Sequence, residues 1–156
     1  MRVNASPLIF FSRSGHTDLL RHFADRILVP KAVSDEVNAR GDKDVTAKSI
    51  NEKSWLETTE TPKVPEIIQN WGLGLGESSV IAFPQQHSCE AILDDLAGRR
   101  CATSLGIPLR GTLGIVLLAK NRGLIPQARP VMEDMIRNGL YLSRSVLDRA
   151  LEKAGE

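Results

Sequence analysis

The sequence predicts an α/β domain built on a short, mainly parallel sheet, and two observations carry that reading. First, short apolar runs at Ile27-Leu28-Val29 and from Glu90 to Leu93 are each followed at once by a stretch of helical spacing. Strands that alternate with helices favour parallel pairing, because each return to the sheet needs a crossover. Second, adjacent carboxylates, Asp94 and Asp95, stand where the second run turns into a helix. Ligands of open α/β sheets gather outside the carboxyl ends of the strands. Neighbouring side chains of an extended segment point in different directions, so one of the two faces such a crevice. The competing explanation is that an Asp here simply caps the next helix. A chain of 156 residues has the length for one domain with a single core.

The elements follow in order. Met1 to Asn4 reads as a very short first strand. Ser6-Pro7 has the form of a helix opening, with Ser as N-cap and Pro at the first helical position. Leu8 to Phe11 is apolar all round, as in a buried helix, and Gly15 breaks it before Leu19, Leu20 and Phe23 resume helical spacing. Ile27 to Val29 is a second strand, stopped by Pro30, and the helix after it carries Val33, Glu36 and Val37 up to Gly41. Glu36 lies beside the apolar stripe rather than opposite it, an unusual place for a purely solvating charge. From 42 to about 70 the pattern is poor and reads as a variable insert, with short strands expected at Val45-Ala47 and Trp55-Leu56.

Gly72, Gly74 and Gly76 do not match a dinucleotide fingerprint or a Walker loop, because the spacing is wrong and no Gly-Lys-Ser/Thr follows. They read as an approach to a helix beginning near Glu77, whose charge suits a helix N-terminus. Pro84 is expected to shorten that helix. After Asp95, Leu96 to Leu105 form a helix closed by Gly106. Ile107 to Arg110 is extended but too polar at its end for a central strand. Leu113 to Lys120 is a helix, Pro126 opens another that Gly139 ends, and Ser143 caps the last, giving a helical C-terminal tail.

Composition narrows the function classes. Lys and Arg total 20 against 19 Asp and Glu, which excludes a broadly basic surface but not a local basic patch. No apolar run approaches the ~18 residues of a membrane span, and the start of the chain lacks a signal-peptide layout. Cys89 and Cys101 have no partners at zinc-finger spacing, so the expectation is reduced thiols and a cytoplasmic protein. His16, His22 and His87 form no metal-type pair. Only 4 Phe, 2 Trp and 1 Tyr are present, too few for stacking platforms to dominate nucleic-acid binding.

Three blocks together resemble the PIN-domain ribonuclease family, in particular small PIN-like proteins of the toxin-like or predicted nucleic-acid-binding subgroup. They are Asn4-Ala5-Ser6-Pro7-Leu8-Ile9, then Leu28-Val29-Pro30 through Asp35-Glu36-Val37, then Gly76-Glu77 through Leu93-Asp94-Asp95-Leu96-Ala97-Gly98-Arg99-Arg100 to Gly111-Thr112-Leu113-Gly114. Their order and spacing, more than any one block, carry the resemblance. It implies a three-layer α/β/α sandwich over residues 1–156, with Asn4, Glu36, Glu77 and Asp94 or Asp95 converging to hold Mg²⁺ or Mn²⁺. Hard cations of this kind prefer oxygen ligands, and they offset the repulsion of gathered carboxylates.

The implied activity is metal-dependent endoribonucleolytic hydrolysis, with RNA as substrate and a small antitoxin or a second copy of the chain as possible partners. Ser6 would orient a ligand or water. Arg99 and Arg100 suit RNA phosphates, or stand as solvated helix charges. Asn4 departs from the carboxylate usual at its place and brings oxygen without charge. A catalytically impaired nucleic-acid-binding or regulatory protein is therefore the alternative. A phosphoacceptor receiver domain is disfavoured because the acidic pair comes late. A haloacid-dehalogenase phosphatase is disfavoured because the two aspartates are adjacent.

Overall fold

At two residues, β1 (Arg2–Val3) is among the shortest strands in the chain, yet it occupies the middle of the sheet. The computed structural model describes residues 1–41, 43–83 and 89–156. The sheet has five strands in the order β3-β2-β1-β4-β5, formed by β2 (Ile27–Pro30), β3 (Leu56–Thr59), β4 (Ala91–Ile92) and β5 (Leu109–Arg110) around β1. Every pairing is parallel, with Arg2 opposite Leu28 on one side and Ala91 on the other. The expected mainly parallel sheet is thus wholly parallel among the described residues. Helices flank it in a three-layer α/β/α arrangement.

α1 (Ala5–Arg13) leaves β1 immediately, α2 (Lys31–Asn38) leaves β2, and α3 (Val45–Glu52) leads into β3; these three helices pack on one another. α4 (Glu66–Gln69) and α5 (Leu75–Ile81) carry the chain back across to β4, and α6 (Leu96–Ser104) connects β4 to β5. The core runs from Leu8 and Phe11 of α1 through Ile27 and Val29 of β2 to Ile92 and Leu93 at β4, all fully buried. Arg2 is also buried: its guanidinium donates to the carbonyls of Cys89, at 2.7 Å, and Phe83, at 3.4 Å. Those bonds hold both ends of the approach to β4, and burial pulls the Arg2 pKa down while nearby Cys89 opposes the fall.

α7 (Thr112–Asn121), α8 (Arg129–Arg137) and α9 (Arg144–Lys153) form the helical C-terminal part. Ser143 caps α9 as expected, its hydroxyl accepting from Val146 N–H. The Glu156 carboxylate accepts from the Ala128 and Arg129 N–H groups at 2.7 and 3.2 Å, which fastens the end of the chain to the start of α8.

Four local expectations are corrected. Val45-Ala47 is not a strand but the first turn of α3, because Asp44 caps it through Thr46 N–H and Thr46, Ala47, Ser49 and Ile50 make a buried helical face. Trp55 is buried but precedes the strand, which runs Leu56–Thr59 instead. α1 starts at Ala5 with Asn4 at the cap position and no side-chain cap bond, so Ser6 and Pro7 lie inside the first turn. Pro is tolerated there because the N–H groups of a first turn have no helical acceptor. α8 begins at Arg129, with Pro130 rather than Pro126 in its first turn. Pro84 and His87 lie outside the described residues, and α5 already ends at Ile81.

Candidate active site

The carboxyl ends of β1 and β4 are neighbours, so the residue after β1 is drawn to the end of β4. Asn4 N–H donates to the Ile92 carbonyl at 3.1 Å. Asn4 is 4 % exposed, and its amide Oδ1 has no hydrogen-bond partner among the described residues. A buried polar atom left unpaired costs about 1–3 kcal/mol, so such an atom calls for water or a cation.

Glu36 reaches the same place from the other side of β1. Pro30 ends β2 and α2 starts at the next residue, which carries Glu36 back over the carboxyl edge of the sheet. Gly76, buried in the first turn of α5, shows how closely these parts meet. A Cβ there would stand 2.9 Å from Glu36 Oε2, 3.4 Å from Asn4 Oδ1 and 3.5 Å from Val33 Cγ2. Two oxygens from separate elements therefore border one point, and the absence of a side chain at Gly76, rather than a left-handed backbone, leaves Glu36 its place there.

The other acidic positions are engaged locally. Glu77, half-buried, turns back to accept the Gly74 N–H at 2.8 Å and so caps its own helix. Asp95 is exposed and caps α6, its Oδ2 accepting Gly98 N–H at 2.7 Å. Asp94 accepts from Thr112 twice, Oδ1 from the N–H at 2.8 Å and Oδ2 from the hydroxyl at 2.5 Å. Of the adjacent aspartates, Asp95 is the helix cap, while Asp94 is bonded at the start of α7. There its charge lies at a helix N-terminus, which stabilises an anion.

Arg99 accompanies Asp94. Its Nη1 donates to the Leu93 carbonyl at 3.2 Å, and both its guanidinium and Asp94 Oδ1 crowd the missing Cβ of Gly111. Arg100 is exposed on α6 and Ser6 is half-buried on α1. The residues that sequence reasoning passed over are Thr112, which fixes Asp94, and Gly76, which lets α5 approach Asn4 and Glu36. Each was visible only as part of a short block, with nothing to show what it would touch.

Among the described residues, no three His, Cys, Asp or Glu side chains gather at one point as a metal site. The donors that do converge are one amide oxygen and one carboxylate oxygen, both hard. Mg²⁺ usually keeps several waters and is commonly held by one or two carboxylates, so the pair fits a largely hydrated cation rather than a closed cage. Asn4 Oδ1, buried and unpaired, is the atom such a cation would satisfy.

Among the described residues, no helix is long and apolar enough to cross a membrane. Comparison with known proteins gives one result beyond the geometry. A family model described as a PIN domain matches residues 2–156, nearly the whole chain. No curated protein and no solved structure matches it. With a match of that length over an all-parallel α/β/α fold, the chain belongs to the PIN-domain family.

Proposed function

We propose that this protein is a divalent-cation-dependent endoribonuclease whose cation is held by Asn4 and Glu36. The observation that carries the reading is the unpaired, buried Asn4 Oδ1 beside Glu36 Oε2 at Gly76. Bound Mg²⁺ or Mn²⁺ supplies polarisation of the scissile phosphate and a more acidic water. The chain's residues supply the rest. Asn4 gives a fixed, neutral ligand; Glu36 gives the charge; Thr112 holds the Asp94 carboxylate in one orientation. Arg99 keeps a positive charge beside Asp94, where it can meet a phosphate oxygen. Glu77 retains one oxygen that its capping bond does not use.

A second reading has its own support. Glu77 and Asp94 are both engaged by nearby backbone, and the converging pair carries a single formal charge. That favours a nucleic-acid-binding or regulatory protein in which cleavage is weak. A small antitoxin partner, a homodimer and a cytoplasmic location rest on the resemblance and the composition alone.

The experiment is Asn4→Asp, compared with wild type by thermal melting in EDTA and in Mn²⁺ and by cleavage of a labelled single-stranded RNA. A second carboxylate beside Glu36 repels it when no cation is present, so the variant should melt about 2–4 °C lower in EDTA, the shift expected for about 1 kcal/mol at this size. Mn²⁺ should restore it and raise cleavage. A variant whose melting ignores Mn²⁺ shows that no cation binds at Asn4, and rescue of stability without any cleavage selects the regulatory reading.

A further inference from the structure

α1 starts at the residue after Asn4 and α2 ends two residues after Glu36, and a second feature is bordered by α1 and by the turn that follows α2. A concavity of about 260 Å³ is lined by Ser6, Ile9, Phe10, Arg13, Arg40 and Asn138. Ser6, Ile9, Phe10 and Arg13 fall three or four residues apart on α1, so they share one face. At 1.5 Å per residue this face extends about 10 Å from Ser6 to Arg13. Arg40 stands four residues beyond Glu36, in the turn after α2 ends at Asn38. Its N–H bonds to the Val37 carbonyl in the turn that closes α2.

The lining is graded in character. Ile9 and the half-buried Phe10 supply apolar surface, and Arg13 and Arg40 supply charge. Arg13 is anchored, its Nη2 donating to Asp44 Oδ2 at 2.6 Å, so much of its charge is answered from within. Arg40 is exposed and makes no ion pair among the described residues, which leaves it as the charge presented to a ligand. The volume is below the roughly 300–1,000 Å³ of ordinary small-molecule pockets, and suits one flat ring with a polar edge.

We propose that this concavity seats one unpaired nucleotide of the RNA strand, next to the bond that lies over Asn4 and Glu36. The base lies against Ile9 and Phe10, and its phosphate meets Arg40. Ser6, on the same helix face and nearest Asn4, borders the path between the two positions. The inference rests on the ribonuclease reading for the identity of the polymer, and it adds where the strand runs and which residues seat one of its nucleotides.

The test uses labelled 2′-O-methyl oligouridylates of increasing length, with fluorescence anisotropy in EDTA for wild type, Arg40→Ala and Arg40→Lys. Circular dichroism confirms that each variant is folded, as expected for an exposed side chain. Arg40→Ala should weaken binding about tenfold and lower the salt slope by about 1, as for one lost phosphate contact. Arg40→Lys should retain most of both. A duplex of the same sequence should bind more weakly than the single strand. Equal binding of the duplex, displacement by oligoglutamate as readily as by oligouridylate, or indifference to Arg40→Ala would overturn the proposal. Cleavage of unmodified RNA in Mn²⁺, read separately on the wild type, distinguishes the two failures. Arg40-dependent binding without cleavage removes the enzyme and keeps the nucleotide seat, whereas cleavage with Arg40-independent binding does the reverse.

Discussion

Gly76→Ala separates the proposed cation site from the stability of the fold. The glycine lies in the first turn of α5 with no left-handed backbone, so alanine can adopt its conformation. Exchanging Gly for Ala in a helix gains up to about 1 kcal/mol. Against that, the new methyl would stand 2.9 Å from Glu36 Oε2 and 3.4 Å from Asn4 Oδ1. The Asn4 contact is of ordinary van der Waals length, and Glu36 is an exposed, flexible side chain that can change rotamer for roughly 0.5–1.5 kcal/mol. The terms nearly cancel, and the melting temperature in EDTA should stay within about 4 °C of wild type. The cation site fares differently, because its one charged ligand is displaced and a methyl fills the gap. Mn²⁺ affinity by calorimetric titration should fall about 10- to 100-fold, the range seen when the support of a metal ligand is disturbed. A variant that melts far lower while binding Mn²⁺ unchanged would refute this reasoning and make Gly76 a packing requirement only.

Two further predictions concern stability. Asp94→Ala removes both acceptors of Thr112 and should cost about 2–3 kcal/mol in urea denaturation, since hydrogen bonds to a charged group contribute about 1.5–3 kcal/mol; a loss below about 0.5 kcal/mol would show that Asp94 is not part of the framework. Burial alone would raise the Asp44 carboxyl, but the Arg13 guanidinium and the Thr46 N–H outweigh it and bring its pKa down from 3.8 to about 2. A depressed carboxylate pKa adds stability above its unfolded value that is lost as pH falls through the folded one. Because the Arg13–Asp44 pair lies at the surface and is screened by solvent, wild type should lose about 1 kcal/mol between roughly pH 4 and pH 2 that Asp44→Asn does not lose, as read from denaturation midpoints across that range.

The fold was legible where hydrophobic periodicity was strong. The runs at Ile27 and Ile92, each ending in a helix, announced a parallel sheet, and the polar end of Ile107 to Arg110 was reason enough to keep that segment out of the sheet's centre. Residues 45–52 were misread because the buried face of α3 uses Thr46, Ala47 and Ser49, small or polar side chains that resemble a loop in composition. At the site, the residue types were readable but their division of labour was not. Asp94 and Asp95 look alike in one dimension. Thr112, 18 residues downstream, determines which of them faces α7, and Gly98 determines which becomes the cap. Asn4 looked like a weak copy of a carboxylate ligand, whereas its burial and its lack of a partner among the described residues are what give it weight.

The position of β1 also governs how the molecule is made. Arg2 pairs with Leu28 on one side and with Ala91 on the other, so this strand, made before the other four of its sheet, must wait for both neighbours. Pairing with Leu28 closes a short loop early, while pairing with Ala91 must wait until β2, β3 and the helices around them have been made. Contacts so distant in sequence slow folding, because the entropy of loop closure is lost before the contact rewards it. Until Ala91 arrives, Val3 and the backbone of Asn4 border an open sheet edge, the kind of surface on which unfinished chains pair with one another. Folding yield should therefore be most sensitive to the residues between β3 and β4, whose rate of synthesis sets how long that edge stays open.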